Sequence, residues 1–437
     1  MKPRANPSIM AMILAGGKGE RLFPLTEVRA KPAVQFGGKY RIIDFVLNNM
    51  VNSGIYKIKV LTQFKSNSLI KHLSDAWHMN RMVGHYIDLV PAQMRTGSDW
   101  YQGTADAIFQ NMNLIYEESP EYVAIFGGDH VYKMEMRQML DFHIARRADL
   151  TISVIPAPLE QAKSLGVLEV EPSGRVLAFQ EKPENPKPMP GDPTRALASM
   201  GNYVFTAEVL RDVLLEDSGR DTSHDFGKDI IPAMVKGDSR VFAYNFAKNQ
   251  VPGMSERERG YWRDVGTIES FYEANMDLRS VSPIFNLYNP YWPLRTAQCY
   301  SAPAKFVFAG EGDKRRGEAI DSLISEGCVI SGSRVRNSIL SPNVFVHSYA
   351  EVTDSIIMSG VEVGRGAKVR RAIVDKYHKI LDGEIIGYDL KRDREKYFVS
   401  DSGIVVIAKK ELHTLRRLGP VAVASESLSQ FPQSEGQ

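Results

Sequence analysis

"MILAGGKGERLFPLT", residues 12–26, is the stretch on which the reading of the fold turns. An apolar run, Met12 to Ala15, enters a loop holding Gly16, Gly17 and Gly19 and then meets charge. A strand that ends in glycines lets backbone amides come close to phosphate oxygens. The dinucleotide fingerprint needs glycine at its first, third and sixth places; Gly17 and Gly19 fit, but Leu22 stands sixth. The Gly-Lys-Ser/Thr ending of an ATPase loop is missing too. What remains is a glycine turn followed by Arg21 and Lys31. That set suits the β- and γ-phosphates of a nucleoside triphosphate, and equally a tight turn with solvated charges.

Working outward, residues 8–280 alternate apolar strand-like runs with amphipathic stretches. "SIMAMILA" (8–15), "KIKVLTQF" (57–64), "YVAIFGGD" (122–129) and "LTISVIPA" (150–157) read as strands, and "KMEMRQMLDFHIARRA" (133–148) as a helix. This alternation predicts an α/β domain with a mostly parallel sheet and helices on both faces. Ligands on such sheets sit beyond the carboxyl ends of the strands, where residues 16–19 and Asp129 both fall. The proline-laden "ENPKPMPGDPT" (184–194) must be a loop, and "NPYWPLRTAQCYSAPAKF" (289–306) reads as a crossing to another domain.

Beyond residue 317 the period changes to six: Val329 and Val335; Val344, Ala350 and Ile356; Ile357, Val363 and Val369. Six-residue spacing of β-branched residues with Gly, Asn and Ser between them predicts a parallel β-helix in preference to a meander of short strands. The expected organisation is therefore a first domain over 1–288, a connection over 289–316, a β-helix over 317–412 and a polar tail over 413–437.

Length supports two domains, since 437 residues exceed one ordinary core. The 54 basic and 52 acidic residues nearly cancel, and no polybasic run suggests a nucleic-acid partner. No apolar stretch reaches the roughly 18–20 residues of a membrane span, and "MKPRANPSIM" has no signal-peptide core. With only Cys299 and Cys328, a disulfide framework is not on offer, and a reducing cytoplasm is expected.

Asp129 ends an apolar strand in "GGDHVY" (127–132), which suits a Mg²⁺ ligand beside phosphates or a helix cap. Asp264 in "YWRDVGT" (261–267) is open to the same two readings, the cap being for a helix starting near Thr267. Lys182 in "FQEKPENP" (179–186) is a strand-end or a solvated lysine; "WYQGTADAI" (100–108) could grip a base or simply turn. H-E-x-x-H, paired metal cysteines and the G-x-S-x-G elbow are all absent.

Taken in order, "LAGGKGERLFPLTEVRAKPAV", "WYQGTADAIFQN", "FGGDHVYKM", "EKPENP", "ASMGNYVF", "SHDFGKDIIP" and "YWRDVGTIESFYEAN" resemble the glucose-1-phosphate adenylyltransferase family over about residues 8–412. The resemblance implies a Rossmann-like nucleotidyltransferase domain followed by a left-handed parallel β-helix. It implies conversion of ATP and α-D-glucose 1-phosphate into ADP-glucose and pyrophosphate, with Mg²⁺, for α-glucan synthesis. By motif position Gly16, Gly17, Gly19, Arg21 and Lys31 would hold the triphosphate, and Gln93 and Gly103 the adenine. Tyr101, Gly166, Glu181, Lys182 and Ser199 would bind glucose 1-phosphate, while Asp129 and Asp264 would carry Mg²⁺. A homotetramer is implied, with neither nucleic acid nor membrane as partner.

Many bacterial members of that family answer to phosphorylated metabolites bound by basic residues near the domain junction. Arg29, Arg41, Arg370 and Arg371 are the candidates for such an effector here. Val28, Gln35, Glu395 and Val399 stand where members activated by fructose 1,6-bisphosphate carry cations, so weak or no activation by that compound is expected. The rival readings are a UTP- or dTTP-dependent sugar-phosphate nucleotidyltransferase and a non-catalytic regulatory homologue.

Overall fold

The structure, a computed structural model, describes residues 7–93, 100–308 and 315–409. The tail over 413–437 and residues 410–412 of the expected β-helix lie outside the described residues.

The strand that feeds the glycine loop, Ile9–Leu14, is apolar at every position and buried on both faces. Such a strand belongs in the middle of a covered sheet. It pairs in parallel with Lys57–Thr62 on one side and Tyr122–Gly127 on the other, and Lys57–Thr62 pairs in parallel with Tyr86–Pro91. The twelve-residue strand Arg195–Thr206 lies antiparallel to Tyr122–Gly127 and carries the sheet on to Leu150–Pro158 and to the hairpin Gly166–Val170 with Val176–Glu181. The sheet has nine strands, parallel around its centre with that one long antiparallel insertion. Alternate residues of the central strands go to opposite faces. Met10, Met12, Val123 and Ile125 pack with helix Thr104–Phe109 on one face. Ala11, Ile13, Ala124 and Phe126 pack with helices Ile42–Asn52 and Met136–Arg146 on the other. The expected helix over 133–148 starts three residues late, because Glu135 accepts a hydrogen bond from the Arg137 amide and caps it there.

The second domain is built on three sheets, parallel apart from the terminal pair of Phe398–Val399 with Val405–Ile407, whose strands recur coil by coil; it is the parallel β-helix expected from the spacing, left-handed as the resemblance implied. Through the regular coils the displacement is 16 or 17 residues, as in the alignment of Val329 with Phe345 and of Phe345 with Glu362, while longer stretches separate Lys305 from Val329 and Ala372 from Val405. A coil with three sides and 17 residues cannot keep a constant stride of six. The buried inward series accordingly runs Ile330, Val335, Leu340, Val346, Val352, Ile357, Val363, Val369, Val374 and Ile380. Two members of the sequence series shift: Val329 yields the interior to Ile330, and Ile356 faces the first domain while Ile357 points inward. The first strand of the helix, Lys305–Val307, falls inside the stretch read as connection. It was not legible because it borders the open end of the prism, where Phe306 stays exposed and no apolar period can develop.

The domains share a core. Leu22, Leu25, Phe36 and Phe271 pack with Ile356, Met358, Ile373, Ile404 and Val406 across the junction. Within it Arg29 forms a two-pronged ion pair with Asp375, at 2.8 and 2.7 Å, the two side chains being only 3% and 1% exposed. Gln35 adds reciprocal hydrogen bonds to Ser359, and the Tyr272 hydroxyl donates to the Asp354 carbonyl. Burial opposes the charge on Asp375, but Arg29 and two backbone amides hold its carboxyl below the usual carboxylate range.

Removing one partner strands the other charge in the core, so Asp375→Ala should cost about 3–5 kcal/mol in urea denaturation at neutral pH. Because the folded pKa is depressed, the stability contributed by Asp375 is full above the unfolded value of about 3.9 and fades as pH falls through the folded one. The deficit of the variant should therefore shrink only in strong acid. A deficit unchanged there would show that the pair is not its source.

Candidate active site

A cleft of about 580 Å³ opens beyond the carboxyl end of Ile9–Leu14. Its floor is the glycine loop, which turns at Gly19 with φ +64°, and a Cβ there would sit 2.9 Å from that of Lys31. A side chain at 19 would thus both strain the turn and displace the lysine.

Asp129 lies two residues past strand Tyr122–Gly127, and Asp264 directly follows the two-residue strand Trp262–Arg263. That strand pairs antiparallel with Val131–Tyr132, which is what brings two segments so distant in sequence side by side. Neither aspartate caps a helix: Glu135 caps Met136–Arg146, and Thr267 caps Ile268–Asp277 reciprocally with Ser270. Both carboxylates are free for the cleft, and Lys31 stands between them. Its Nζ lies 3.0 Å from Asp129 Oδ2 and 2.6 Å from Asp264 Oδ1, while Arg21 reaches Asp264 Oδ2 at 3.0 Å.

Burial disfavours the charge on Lys31, yet the two carboxylates outweigh it and raise its pKa above the ordinary lysine value. Burial likewise opposes the charge on both aspartates, and Lys31, then His130, hold them below the usual range. The centre is therefore fully ionised at neutral pH. One ligand atom from each of Asp129, His130 and Asp264 lies within 4.8 Å of the others, a set that suits a divalent cation.

Of the residues singled out from sequence, Gly16, Gly17, Gly19, Lys31, Tyr101, Gly103, Asp129, Glu181 and Lys182 line the cleft. Arg21 lines an adjoining hollow with Lys18, Lys31 and Gly266, and Asp264 is reached through its ion pairs. Gly166 stands opposite Glu181 in the hairpin register, where a Cβ would collide with the Phe179 ring. Ser199 lies behind the wall, accepting a hydrogen bond from the Gly201 amide at 3.1 Å. Gln93 lies apart, in a hollow with Lys59, Arg81, Asp88 and Asn111.

The cleft also contains residues that sequence reasoning passed over: Gln63, His130, Tyr203, Asp225 and Gly227. His130 adjoins Asp129 in the quoted motif, and Asp225 and Gly227 sit within "SHDFGKD", so those three could have been found. Tyr203 sits within "ASMGNYVF" and could have been found as well, whereas Gln63, just past strand Lys57–Thr62, left no such signal. Asp225 accepts from the Gly227 and Lys228 amides and from the Thr104 hydroxyl, tying that turn to the wall carrying Gly103.

The effector candidates divide. Arg29 is committed to Asp375, and Arg41 donates to the Ser68 carbonyl and hydroxyl. Arg370 stacks on Tyr388 and Arg371 on Tyr272. Lys376, which sequence reasoning did not single out, is buried and feels both Arg41 and Arg29; burial first and these cations next push its pKa down to about 6.

A nucleotidyl transferase family model matches residues 10–281, and a GlmU-like C-terminal hexapeptide model matches residues 302–407. A protein of Anaeromyxobacter sp. (strain Fw109-5) named glucose-1-phosphate adenylyltransferase is 55% identical over 403 residues, 92% of this chain and 98% of that protein. Proteins with the same name are 50% identical over 412 residues in Corynebacterium jeikeium (94% of this chain, 99% of that protein) and 51% identical over 404 in Aliivibrio fischeri strain MJ11 (92% and 98%).

At Gly103 a Cβ would strike the carbonyl oxygens of Ser223 and His224, and backbone cannot yield cheaply. Gly103→Ala should destabilise the fold by about 1–3 kcal/mol, read from urea denaturation. An unaltered midpoint would mean that the two segments are not held together.

Proposed function

The chain belongs to the glucose-1-phosphate adenylyltransferase family, and from that premise we propose how its cleft joins ATP to glucose 1-phosphate, yielding ADP-glucose and pyrophosphate. The observation that carries the reading is the Lys31 ammonium held between Asp129 and Asp264 at the mouth of the glycine loop.

The phosphate oxygen of the sugar is already an anionic nucleophile, so its attack on the α-phosphorus needs no general base. The difficulty is to bring two polyanions into line and to accept charge on the departing pyrophosphate. We assign the amides of Gly16, Gly17 and Gly19, with Arg21 and Lys31, to the triphosphate, and Gly103 to the base, Gln93 lying apart in its own hollow. Tyr101, Gly166, Glu181, Lys182 and Ser199 are assigned to the sugar phosphate. The exposed Lys182, at a strand end with φ +49°, can swing over a phosphate, while Glu181 beside the bare faces of Gly166 and Gly227 can accept sugar hydroxyls.

Nucleotidyltransferases of this kind generally use a divalent metal. Asp129 and Asp264 fit one, being two ionised oxygen donors just outside the paired strands Val131–Tyr132 and Trp262–Arg263, and we take the ion to be Mg²⁺. When bound, it supplies positive charge at the phosphate oxygens. Lys31 keeps the two carboxylates ionised and close without the ion, so the site is preorganised.

We further propose a homotetramer, supported by the outermost coil strands Lys305–Val307 and Glu318–Ile320, each paired on one side. A phosphorylated effector at the junction is supported by Arg41 and by Lys376, which burial and the neighbouring cations keep from protonating and which an arriving anion would let take up its charge, Arg29 being neutralised by Asp375. The product would serve as glucosyl donor for glycogen or a related α-glucan. No helix among the described residues is long and apolar enough to cross a membrane, and the two free cysteines support a reducing cytoplasm.

Pyrophosphate release with glucose 1-phosphate and each of ATP, UTP and dTTP tests the reading; ATP should be preferred, and preference for another base would move the chain to a sister activity. Asp129→Asn should lower kcat about 10²-fold or more with the thermal midpoint retained. Lys182→Ala should chiefly raise KM for glucose 1-phosphate, since it clamps a ground-state phosphate. A selective effect on ATP would remove that assignment.

A further inference from the structure

One side chain of the cleft, His130, has entered so far only through its nearness to the two aspartates. His130 is mostly buried, with 14% of its side chain exposed, and its Nδ1 is shut away from solvent without a hydrogen bond. Its Nε2 stands 3.6 Å from Asp129 Oδ1, too far for a hydrogen bond. A buried imidazole with no hydrogen-bonded nitrogen is unusual, because leaving a buried polar group unpaired costs about 1–3 kcal/mol. The ring is nevertheless held in place. It packs on Trp262 with ring centroids 4.9 Å apart, and Gly127 leaves room at its edge, where a Cβ would lie 3.4 and 3.5 Å from Cε1 and Nδ1. Trp262 is also the residue whose pairing with Tyr132 sets Asp264 against Asp129. The contacts that orient the imidazole are thus the ones that bring the two carboxylates together.

We propose that His130 is the third protein ligand of the divalent cation, and that it sets which cation the centre prefers. The inference rests on the assignment of Asp129 and Asp264 to that ion. Two carboxylates alone form a hard oxygen site suited to Mg²⁺. Adding a neutral imidazole gives a mixed nitrogen and oxygen set, which favours Mn²⁺ and Co²⁺ over Mg²⁺. Its donor atom lies within 4.8 Å of the carboxylate oxygens, as one shared ion requires. The chain therefore carries a built-in preference for Mn²⁺ over Mg²⁺ that the triphosphate, an all-oxygen ligand, would not reveal by itself.

Binding of Mn²⁺ to the full-length protein without nucleotide, followed through the electron paramagnetic resonance signal of free Mn²⁺ and by competition with Mg²⁺, tests this directly. Wild type should bind Mn²⁺ at least about tenfold more tightly than Mg²⁺. His130→Phe, which preserves the stacking on Trp262, and the polar His130→Gln should each weaken Mn²⁺ binding about tenfold or more while leaving Mg²⁺ binding nearly unchanged. Thermal midpoints show whether each variant is folded, and two unlike substitutions guard against the loss of one. If Asp129→Asn and Asp264→Asn abolish Mn²⁺ binding but both His130 variants retain it, this inference is overturned and the two-carboxylate site stands. If none of the four substitutions alters binding, the metal assignment itself fails.

Discussion

Lys31 is the residue through which the catalytic domain is held together. Its ammonium is nearly buried and is shared by Asp129 and Asp264, which are 98 and 233 residues away in sequence. Burial alone would drive the charge off; the paired carboxylates keep it, and it in turn keeps them ionised. The Lys31 charge could not sit there alone, because it would be an unpaired ion away from water, and the partly exposed aspartates find their strongest partner in it. The glycine loop, the end of a central strand and the small ladder before Asp264 are therefore locked into one arrangement.

That arrangement also explains how binding groups come from so many parts of the chain. The parallel strands deliver the glycine loop and Asp129 to the same edge of the sheet, as their order requires. The antiparallel strand Arg195–Thr206 and the hairpin beside it bring Glu181 and Lys182 to the opposite wall. The π-helical turn Phe226–Ile230, capped by Asp225, closes the side toward Gly103. A rigid sheet supports each group, and the loops only present it.

The central strands and the β-helix were legible because their apolar patterns follow from burial on two faces or on one. Where burial failed, the signal failed with it: Phe306 begins the β-helix but is half exposed, so its strand had no period to show. The six-residue spacing found the coils yet misplaced Val329 and Ile356, since a coil of 16 or 17 residues shortens some of its sides and one side packs on the other domain. At the site, Asp129, Lys31 and Gly19 could be found because their chemistry is local to a motif. The partnership of Asp264 with Lys31, and the consumption of Arg29 by Asp375, are long-range facts of the fold that no local pattern contains.

Arg29 and Lys31 are separated by a single residue, so at most about 7 Å of backbone links the clamp on the β-helix to the ammonium shared by Asp129 and Asp264. The link between them is the single extended residue Ala30, and Lys31 opens the tight turn Lys31–Ala33 with proline at its second place, which anchors the lysine on its far side. The two ends therefore behave as a short lever. A tilt of the β-helix against the first domain would pull, through Asp375 and Arg29, on the segment that carries the lysine holding the two aspartates. Distance within this protein is thus a poor guide to mechanical isolation: the coil bearing Asp375 is, for the reacting phosphates, a close neighbour.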